Sequence, residues 1–318
     1  MINFLIIIFL LTGYLMPSEN EFSSIPIQES GRIKPLDTFA KNQMLLFYEK
    51  RELKHENLPA INWLENLFTN TDSVFYKDIF NINNPEIVYT LGLEWTNNYH
   101  KYNYYEVLDG IKSQSEYFNS ISLKSKDNLT KKEIDFINIY NKVIAFDELS
   151  RSLTCLLPAI RIEDEHIASA LDVEKGEVVS YYFFIHNIEK FRMLLKNLVN
   201  KKESSWNTSD SSLSSIIFVI QEIEKDSFSK VLKIIPPDPY SKDASWLSPW
   251  EVLSEKKLTH SHDKLLSSLE KYMQSKINSN YDKMDSMAIN YKNTLSDIYE
   301  VNSSILEREV WYNKANLL

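Results

Sequence analysis

The stretch from Ile25 to Ala40 reads IPIQESGRIKPLDTFA and predicts the start of a helix. Pro35 suits the first turn of a helix, because its fixed φ is close to helical and its missing N–H is not needed there. Asp37 follows, where a carboxylate can cap the helix or complement its dipole. Apolar side chains then recur at helical spacing and predict one buried face: Leu36, Phe39, Ala40, Met44 and Phe47.

Three shorter helices are predicted before residue 120. One lies around residues 61–67, where apolar side chains cluster. A second begins at Asn84, which precedes Pro85 and Glu86, and it ends at Gly92. A third covers about residues 104–118.

A long helix is predicted over residues 130–156. Thr130 and Glu133 have the spacing of a capping box, in which each side chain bonds to the other residue's backbone N–H. Pro158 ends the helix, because proline cannot continue its hydrogen bonds. The apolar face is formed by Phe136, Ile139, Tyr140, Val143 and Phe146.

The domain prediction rests on a polar, serine-rich stretch at residues 201–215, which we interpret as a linker or loop. It would separate a helical domain over residues 18–200 from a second helical region over 216–318. The best strand candidate is residues 177–185, which are β-branched and aromatic.

The sharpest periodicity runs from Leu269 to Ile298, roughly 45 Å at 1.5 Å per residue, and it predicts one long amphipathic helix over about residues 262–301. Only 5 glycines occur in 318 residues, which leaves few positions for tight hairpins and favours helices. We therefore expect a mainly α fold, an irregular multi-helix domain with at most a small β element. The long helix rests on Leu269, Met273, Ile277, Tyr281, Met284, Ala288, Tyr291, Leu295 and Ile298.

The charge and cysteine content exclude several classes of function. A net charge of −9 provides no basic footprint for a nucleic-acid backbone, so no nucleic-acid partner is expected. Cys155 is the one cysteine, which excludes an intramolecular disulfide, a CxxC redox pair and a four-thiolate zinc site. Its apolar neighbours indicate a buried, unreactive thiol.

The N-terminal residues 1–17 predict either a signal peptide or a short membrane anchor. Residues 2–16 read INFLIIIFLLTGYLM, an apolar run with the length of an export signal's central region. The run is shorter than the roughly 20 residues that span a bilayer comfortably. In both cases, we expect residues from about 18 onward to lie outside the cytoplasmic membrane.

No recognised catalytic motif occurs: GxSxG, a P-loop, GxGxxG and HExxH are all missing. The acidic run from Glu163 to His166 is interpreted as a solvated turn, with cation binding as the less favoured alternative. His260 and His262 offer imidazoles to a metal or haem, but a place at the polar start of the long helix is favoured. We predict no catalytic residue and no metal site, and the CxxCH haem-attachment pattern is missing.

The opening stretch has a specific form, P-V-Q-x-x-G-R-x-K-P-L-D-T-x-A, which this chain matches from Pro26 to Ala40 with isoleucine in second place. In this form it resembles system II cytochrome c biogenesis proteins of the CcsA/CcsB (ResB) type, in members with a large extracytoplasmic insertion. Glu309 to Lys314 is similar to the E-x-x-Y-N-K run that introduces that family's next membrane helix. Other similar stretches follow in order, at residues 61–64, 80–86, 91–93, 234–237 and 245–250.

The resemblance implies an accessory or scaffold subunit on the periplasmic face of a bacterial cytoplasmic membrane. Its partners would be a CcsA-like haem-handling membrane protein, apocytochrome c and the membrane surface. The family's WGxxWxWD motif does not occur here, which implies either a split subunit or a truncated fusion. We assign no cofactor to the chain itself, although haem could reach it through the complex. The competing hypothesis is an extracytoplasmic binding or envelope-structure module without a role in haem chemistry.

The candidate binding residues lie in the signature, and they would bind a partner or the haem propionates. Arg32 and Lys34 offer donors to carboxylates. Gly31 would allow close backbone approach, and Pro35 would fix where the helix begins. The alternative is that these side chains pair within the chain and hold the fold. The full candidate set is Gly31, Arg32, Lys34, Pro35, Asp37 and Thr38.

Overall fold

The computed structural model is mainly helical, with small two-stranded sheets, and it confirms the predicted fold class. The predicted signal peptide or anchor at residues 1–17 lies outside the described part of the chain. None of the helices in the described part is long and apolar enough to cross a membrane. The structure describes residues 20–97, 99–199, 201–238, 245–254 and 258–315.

A β-hairpin and the helix after it form the first unit of the fold. Strand β1 (Pro26–Glu29) pairs antiparallel with β2 (Arg32–Pro35), and Ser30 and Gly31 form the turn between them. Helix α1 (Leu36–Tyr48) follows β2 directly. The predicted apolar stripe is confirmed, since all of its members are buried: Leu36, Phe39, Ala40, Met44 and Phe47.

The next helices confirm most of the predicted elements, but the helix predicted over 130–156 ends at Ser150, well before Pro158, and Thr154–Leu156 form a separate 3-10 turn. The capping box at Thr130 is formed, with the Glu133 N–H 3.3 Å from Thr130 Oγ1 and the Thr130 N–H 2.8 Å from Glu133 Oε2. The helix predicted over 104–118 is instead two, because the chain bends at Gln114. The helices are α2 (Ala60–Thr69), α3 (Thr71–Phe75), α4 (Pro85–Thr90), α5 (Tyr104–Ser113), α6 (Ser115–Ser122) and α7 (Lys131–Ser150).

Short antiparallel ribbons connect these helices, and one of them corrects the strand prediction. Of the predicted strand over 177–185, only Val178 and Val179 form a strand, because Ser180 starts a helix by accepting a 3.0 Å hydrogen bond from the Phe183 N–H. The ribbons pair β3 (Phe80–Asn81) with β4 (Lys101–Tyr102), and β5 (Ile160–Arg161) with β6 (Val178–Val179).

The linker or loop predicted over 201–215 is wrong from residue 208 onward, where the structure has a helix. Asn207 and Asp210 form a capping box, and the helix that begins there buries Leu213 and Ile216. The polar composition that suggested a linker therefore belongs to the exposed face of a helix. The later helices are α8 (Glu165–Leu171), α9 (Tyr181–His186), α10 (Ile188–Val199), α11 (Thr208–Glu224), α12 (Pro249–Ser254), α13 (His260–Ile277), α14 (Tyr281–Ile298) and α15 (Ser303–Lys314).

The single long helix predicted over 262–301 is also wrong, because α13 and α14 form a helical hairpin. Ser279 has a φ of 53°, which ends α13, and Asn280 caps α14 by accepting a hydrogen bond from the Lys283 N–H. The two helices lie side by side, with Asn290 donating to Ser268 Oγ at 2.7 Å. The apolar stripes of α13 and α14 face the same core and have the same helical spacing. The sequence pattern alone therefore did not reveal that the chain reverses direction between them.

The core does not follow the predicted division into residues 18–200 and 216–318. The larger core combines the N-terminal elements with α13 and α14, as in the stacking of Phe22 on Tyr272 with ring centroids 4.2 Å apart. A smaller core lies between, formed by apolar side chains from Ile160 to Ile216. The N-terminal and C-terminal parts of the chain therefore form one unit, and the middle part forms the second.

Candidate functional site

The tip of the hairpin is the most exposed part of the signature. Ser30 and Gly31 have φ values of 53° and 77°, so both turn residues lie in the left-handed region. Nothing lies within 4 Å of where a Cβ of Gly31 would be. The close backbone approach expected of Gly31 towards a partner therefore stays a prediction. Within the chain its role is conformational, since glycine adopts this φ without strain.

Helix α15 packs on the hairpin and places Glu309 between two signature residues. One carboxylate oxygen of Glu309 forms an ion pair with the Arg32 guanidinium, and the other accepts a 2.7 Å hydrogen bond from Thr38 Oγ1. The Arg32 side chain is 64% exposed, whereas that of Glu309 is 15% exposed. Because a guanidinium carries five N–H donors, Arg32 keeps free donors on its solvent side.

Asp37, which precedes Thr38, is buried and contacts Asn313, which lies one helical turn after Glu309 on α15. Asn313 donates a 2.9 Å hydrogen bond to Asp37 Oδ2 and another of 2.9 Å to Thr38 Oγ1. Lys41 Nζ lies 3.4 Å from Asp37 Oδ2 and donates to the Asn313 carbonyl oxygen at 2.8 Å. We call Arg32, Asp37, Thr38, Lys41, Glu309 and Asn313 the signature cluster.

Lys34 and Pro35 are also buried, so they do not face a solvent-side ligand. Lys34 Nζ lies 2.6 Å from Glu29 Oε2 across the hairpin. The same carboxylate accepts hydrogen bonds from Asn42 at 2.8 Å and from Gln43 at 3.3 Å. Of the six predicted binding residues, only Gly31 and Arg32 are exposed, and the others have internal contacts that hold the fold.

Two later segments, residues 233–237 and 245–250, contact the hairpin from another direction. The Gln28 N–H donates to the Lys233 carbonyl at 2.9 Å, and Gln28 Oε1 accepts from the Trp246 N–H at 2.9 Å. Ile235 pairs with Leu247, which joins the Ile234–Pro237 and Ser245–Trp250 segments. These segments and the signature are therefore in direct contact, although more than 200 residues separate Gln28 from Trp246.

The other residues considered from sequence have structural roles. Cys155 is fully buried, which raises the pKa of its thiol well above its usual value, so the unreactive interpretation holds. Asp164 caps α8, and His262 is buried with Nε2 3.1 Å from the Pro236 carbonyl oxygen. Among the described residues, no group of three or more His, Cys, Asp or Glu side chains is placed to hold a metal ion.

Sequence reasoning missed an open groove at the C-terminal end of α1. It has a volume of about 1070 Å³ and lies between α1, the segment from Asn81 to Ile87, and α7. The signal in the sequence was a set of asparagines spread over two distant segments, which no local pattern brings together. Carboxamides line it at Asn81, Asn83, Asn84, Asn138 and Asn141.

The outer face of α15 carries an exposed aromatic pair. Trp311 and Tyr312 are 47% and 45% exposed, and their rings meet edge to face with centroids 5.1 Å apart. Both belong to the E-x-x-Y-N-K run whose Glu309 and Asn313 contact the signature. The run therefore points one set of side chains inward and another towards solvent.

We compared the chain with protein-family models and with curated proteins, and neither comparison gives a match.

Proposed function

We propose that this chain is an accessory or scaffold subunit of system II cytochrome c maturation. It would act on the periplasmic face of the cytoplasmic membrane with a CcsA-like membrane protein, and assist haem attachment to apocytochrome c. The proposal rests on the resemblance of several short segments to that family. The observation that supports it best is the contact between the signature and the E-x-x-Y-N-K run.

Short matches that arise by chance have no reason to meet in space. Here Glu309 and Asn313 of the C-terminal run bond to Arg32, Asp37 and Thr38 of the signature, over about 270 residues of sequence. The segments containing Ile235 and Trp246 reach the same hairpin through Gln28. This convergence is expected if the resemblance is to one folded domain.

The exposed groups of this region suggest how the subunit would dock. The free donors of Arg32 suit a carboxylate, either on an acidic loop of the membrane protein or on a haem propionate. Trp311 and Tyr312 present the amphipathic rings that are enriched at protein interfaces and at the edge of a bilayer. Lys34 and Asp37 would contribute indirectly, by fixing the hairpin and α15.

The test is deletion of the gene followed by haem staining of c-type cytochromes. We expect holocytochromes to be lost or strongly reduced, and normal levels would refute the proposal. Arg32→Gln should then lower holocytochrome at unchanged abundance of this subunit, because it removes the charge of an exposed side chain but keeps an N–H donor for Glu309. Lys34→Ala is the matched comparison, since it removes a buried ion pair and should lower the abundance of the subunit itself.

The groove described above favours a second candidate, a periplasmic binding module without a role in haem chemistry. The same deletion separates the two functions. A deletion strain that has normal cytochromes but has lost binding of a ligand to this groove would favour the binding module. Loss of cytochromes that follows the Arg32→Gln change, with the groove intact, would favour the assembly subunit.

A further inference from the structure

We propose that the groove binds an extended segment of another polypeptide through the main-chain amides of that segment. The proposal rests on the lining of the groove and does not depend on the role in cytochrome maturation. The ligand would be an unfolded stretch of protein, recognised with little regard to its sequence. Four properties of the groove support this: its length, its hydrogen-bonding groups, its charge balance and its apolar edge.

The groove is long and open. Its wall on α7 runs from Lys131 to Ala145, which is about 21 Å at 1.5 Å per residue. An extended chain covers this length with about six residues at 3.3 Å per residue. Its volume of about 1070 Å³ lies at the upper end of the roughly 300–1000 Å³ range of small-molecule pockets, so a short extended peptide has room to bind.

The hydrogen-bonding groups match a peptide main chain. Asn138 and Asn141 are exposed on α7, and neither side chain has a hydrogen-bond partner among the described residues. A carboxamide offers an acceptor oxygen and two N–H donors, so it can pair with the N–H and C=O of a peptide unit at the same time. A row of such groups binds the main chain rather than particular side chains.

The opposite wall is already held in place. Glu49 accepts hydrogen bonds from Asn81 at 2.6 Å and from Asn83 at 3.2 Å, and Asp135 accepts one from Asn84 at 2.8 Å. Asn81 and Asn83 each keep the oxygen and a second N–H for a ligand. The Asn84 oxygen already accepts a 3.0 Å hydrogen bond from the Glu86 N–H, so Asn84 keeps only its second N–H. Because they are fixed before binding, less side-chain entropy is lost when a ligand arrives.

The charges of the lining cancel, which argues against a polyanion. Lys131, Lys132 and Lys142 stand among acidic side chains, and Lys142 Nζ lies 3.6 Å from Glu49 Oε1. The acidic members are Glu49, Glu86 and Asp135, so the lining carries three charges of each sign.

The apolar part of the lining also favours a polypeptide. None of the described residues that line the groove is aromatic, so the groove has no ring on which a sugar or a porphyrin could stack. Leu46 is 43% exposed at the edge, where it can contact alternate side chains of an extended chain. A polysaccharide remains the competing polar polymer, and the test includes it.

The test measures fluorescence anisotropy of a labelled, unstructured, uncharged dodecapeptide with the full chain. We expect saturable binding, and we expect the same peptide with N-methylated main-chain amides to bind at least tenfold more weakly. The double variant Asn138→Ala/Asn141→Ala should also bind the unmodified peptide about tenfold more weakly. Alanine favours helix at both positions, so α7 should keep its structure.

The matched control is Asn119→Ala/Asn293→Ala, which removes two exposed helical asparagines outside the groove and should leave binding unchanged. Circular dichroism checks that all variants are folded. Three results would each overturn the proposal: no binding by the original chain, equal binding by the groove variant, or equal binding of the N-methylated peptide. Binding of chitohexaose with no binding of the peptide would assign the groove to a polysaccharide instead.

Discussion

The two polar regions at the ends of α1 differ in how their side chains are used. At the N-terminal end, the signature cluster pairs each of its polar side chains with another part of the chain. At the C-terminal end, the groove leaves Asn138 and Asn141 without partners among the described residues. Apart from the solvent-side donors of Arg32, the motif that is easiest to recognise in sequence therefore holds the fold, and side chains without any partner lie in the groove instead.

The comparison shows why a specific motif is weak evidence for a binding site. A buried charge such as Asp37 needs particular partners in particular places, so its surroundings place strict demands on sequence. An exposed asparagine such as Asn138 places few demands on its neighbours. A motif can therefore be specific because of packing, and a binding groove can have almost no motif.

The largest expected effect is that of Asp37→Ala in the signature cluster. It leaves Lys41 and Asn313 without their buried acceptor, and breaking such a pair costs about 3 kcal/mol. Urea denaturation measures the loss in the free energy of unfolding. Asp109→Ala is the control, because Asp109 is 77% exposed and its ion pair with Lys112 is long, at 3.8 Å. This change should alter the free energy of unfolding by less than about 0.5 kcal/mol.

A smaller effect is expected at the turn of the hairpin. Gly31→Val places a β-branched residue at a φ of 77°, which should lower the free energy of unfolding by about 1–2 kcal/mol. Ser30→Gly in the same turn should cost nothing, since Ser30 already has a positive φ. A neutral Gly31→Val in thermal denaturation would show that the turn does not fix the hairpin.

Arg32→Ala should have a weaker effect on stability than either change. The Arg32 end of its ion pair with Glu309 is exposed to water, and Thr38 still donates to Glu309 after the change, so the loss should be about 0.5 kcal/mol. The melting temperature in low and high salt measures it, and the difference between Arg32 and Ala should shrink in high salt. A loss as large as that of Asp37→Ala would mean that Arg32 is a structural residue and not a free contact for a partner.

The smallest effect on stability is expected for Asn138→Ala/Asn141→Ala in the groove. These side chains hold nothing in place, so the free energy of unfolding should change by less than about 0.5 kcal/mol, with a small gain from helix propensity. Urea denaturation of the double variant measures it. A loss above 1 kcal/mol would remove the contrast between the groove and the signature cluster.

Sequence reasoning worked best where the evidence is local. The α1 stripe, the start of α4 at Asn84 and the capping box at Thr130 each depend on residues within a few turns. It failed at Ser279 and Ser180, where one residue changes the direction or type of an element within an otherwise continuous pattern. For the candidate site, it identified the signature residues but not which of them would be buried.

The sequence by itself determined the helical class, several helix starts, the inert character of Cys155 and the segment on which the family resemblance rests. These follow from side-chain spacing and backbone preference, which act over short distances. Only the tertiary structure shows that α13 and α14 fold back on each other, that Glu309 and Asn313 bond to the signature, and that Asn83 and Asn138 line one groove. These depend on contacts between segments far apart in the chain. No local pattern shows which distant side chain will become the hydrogen-bond partner of a given polar group.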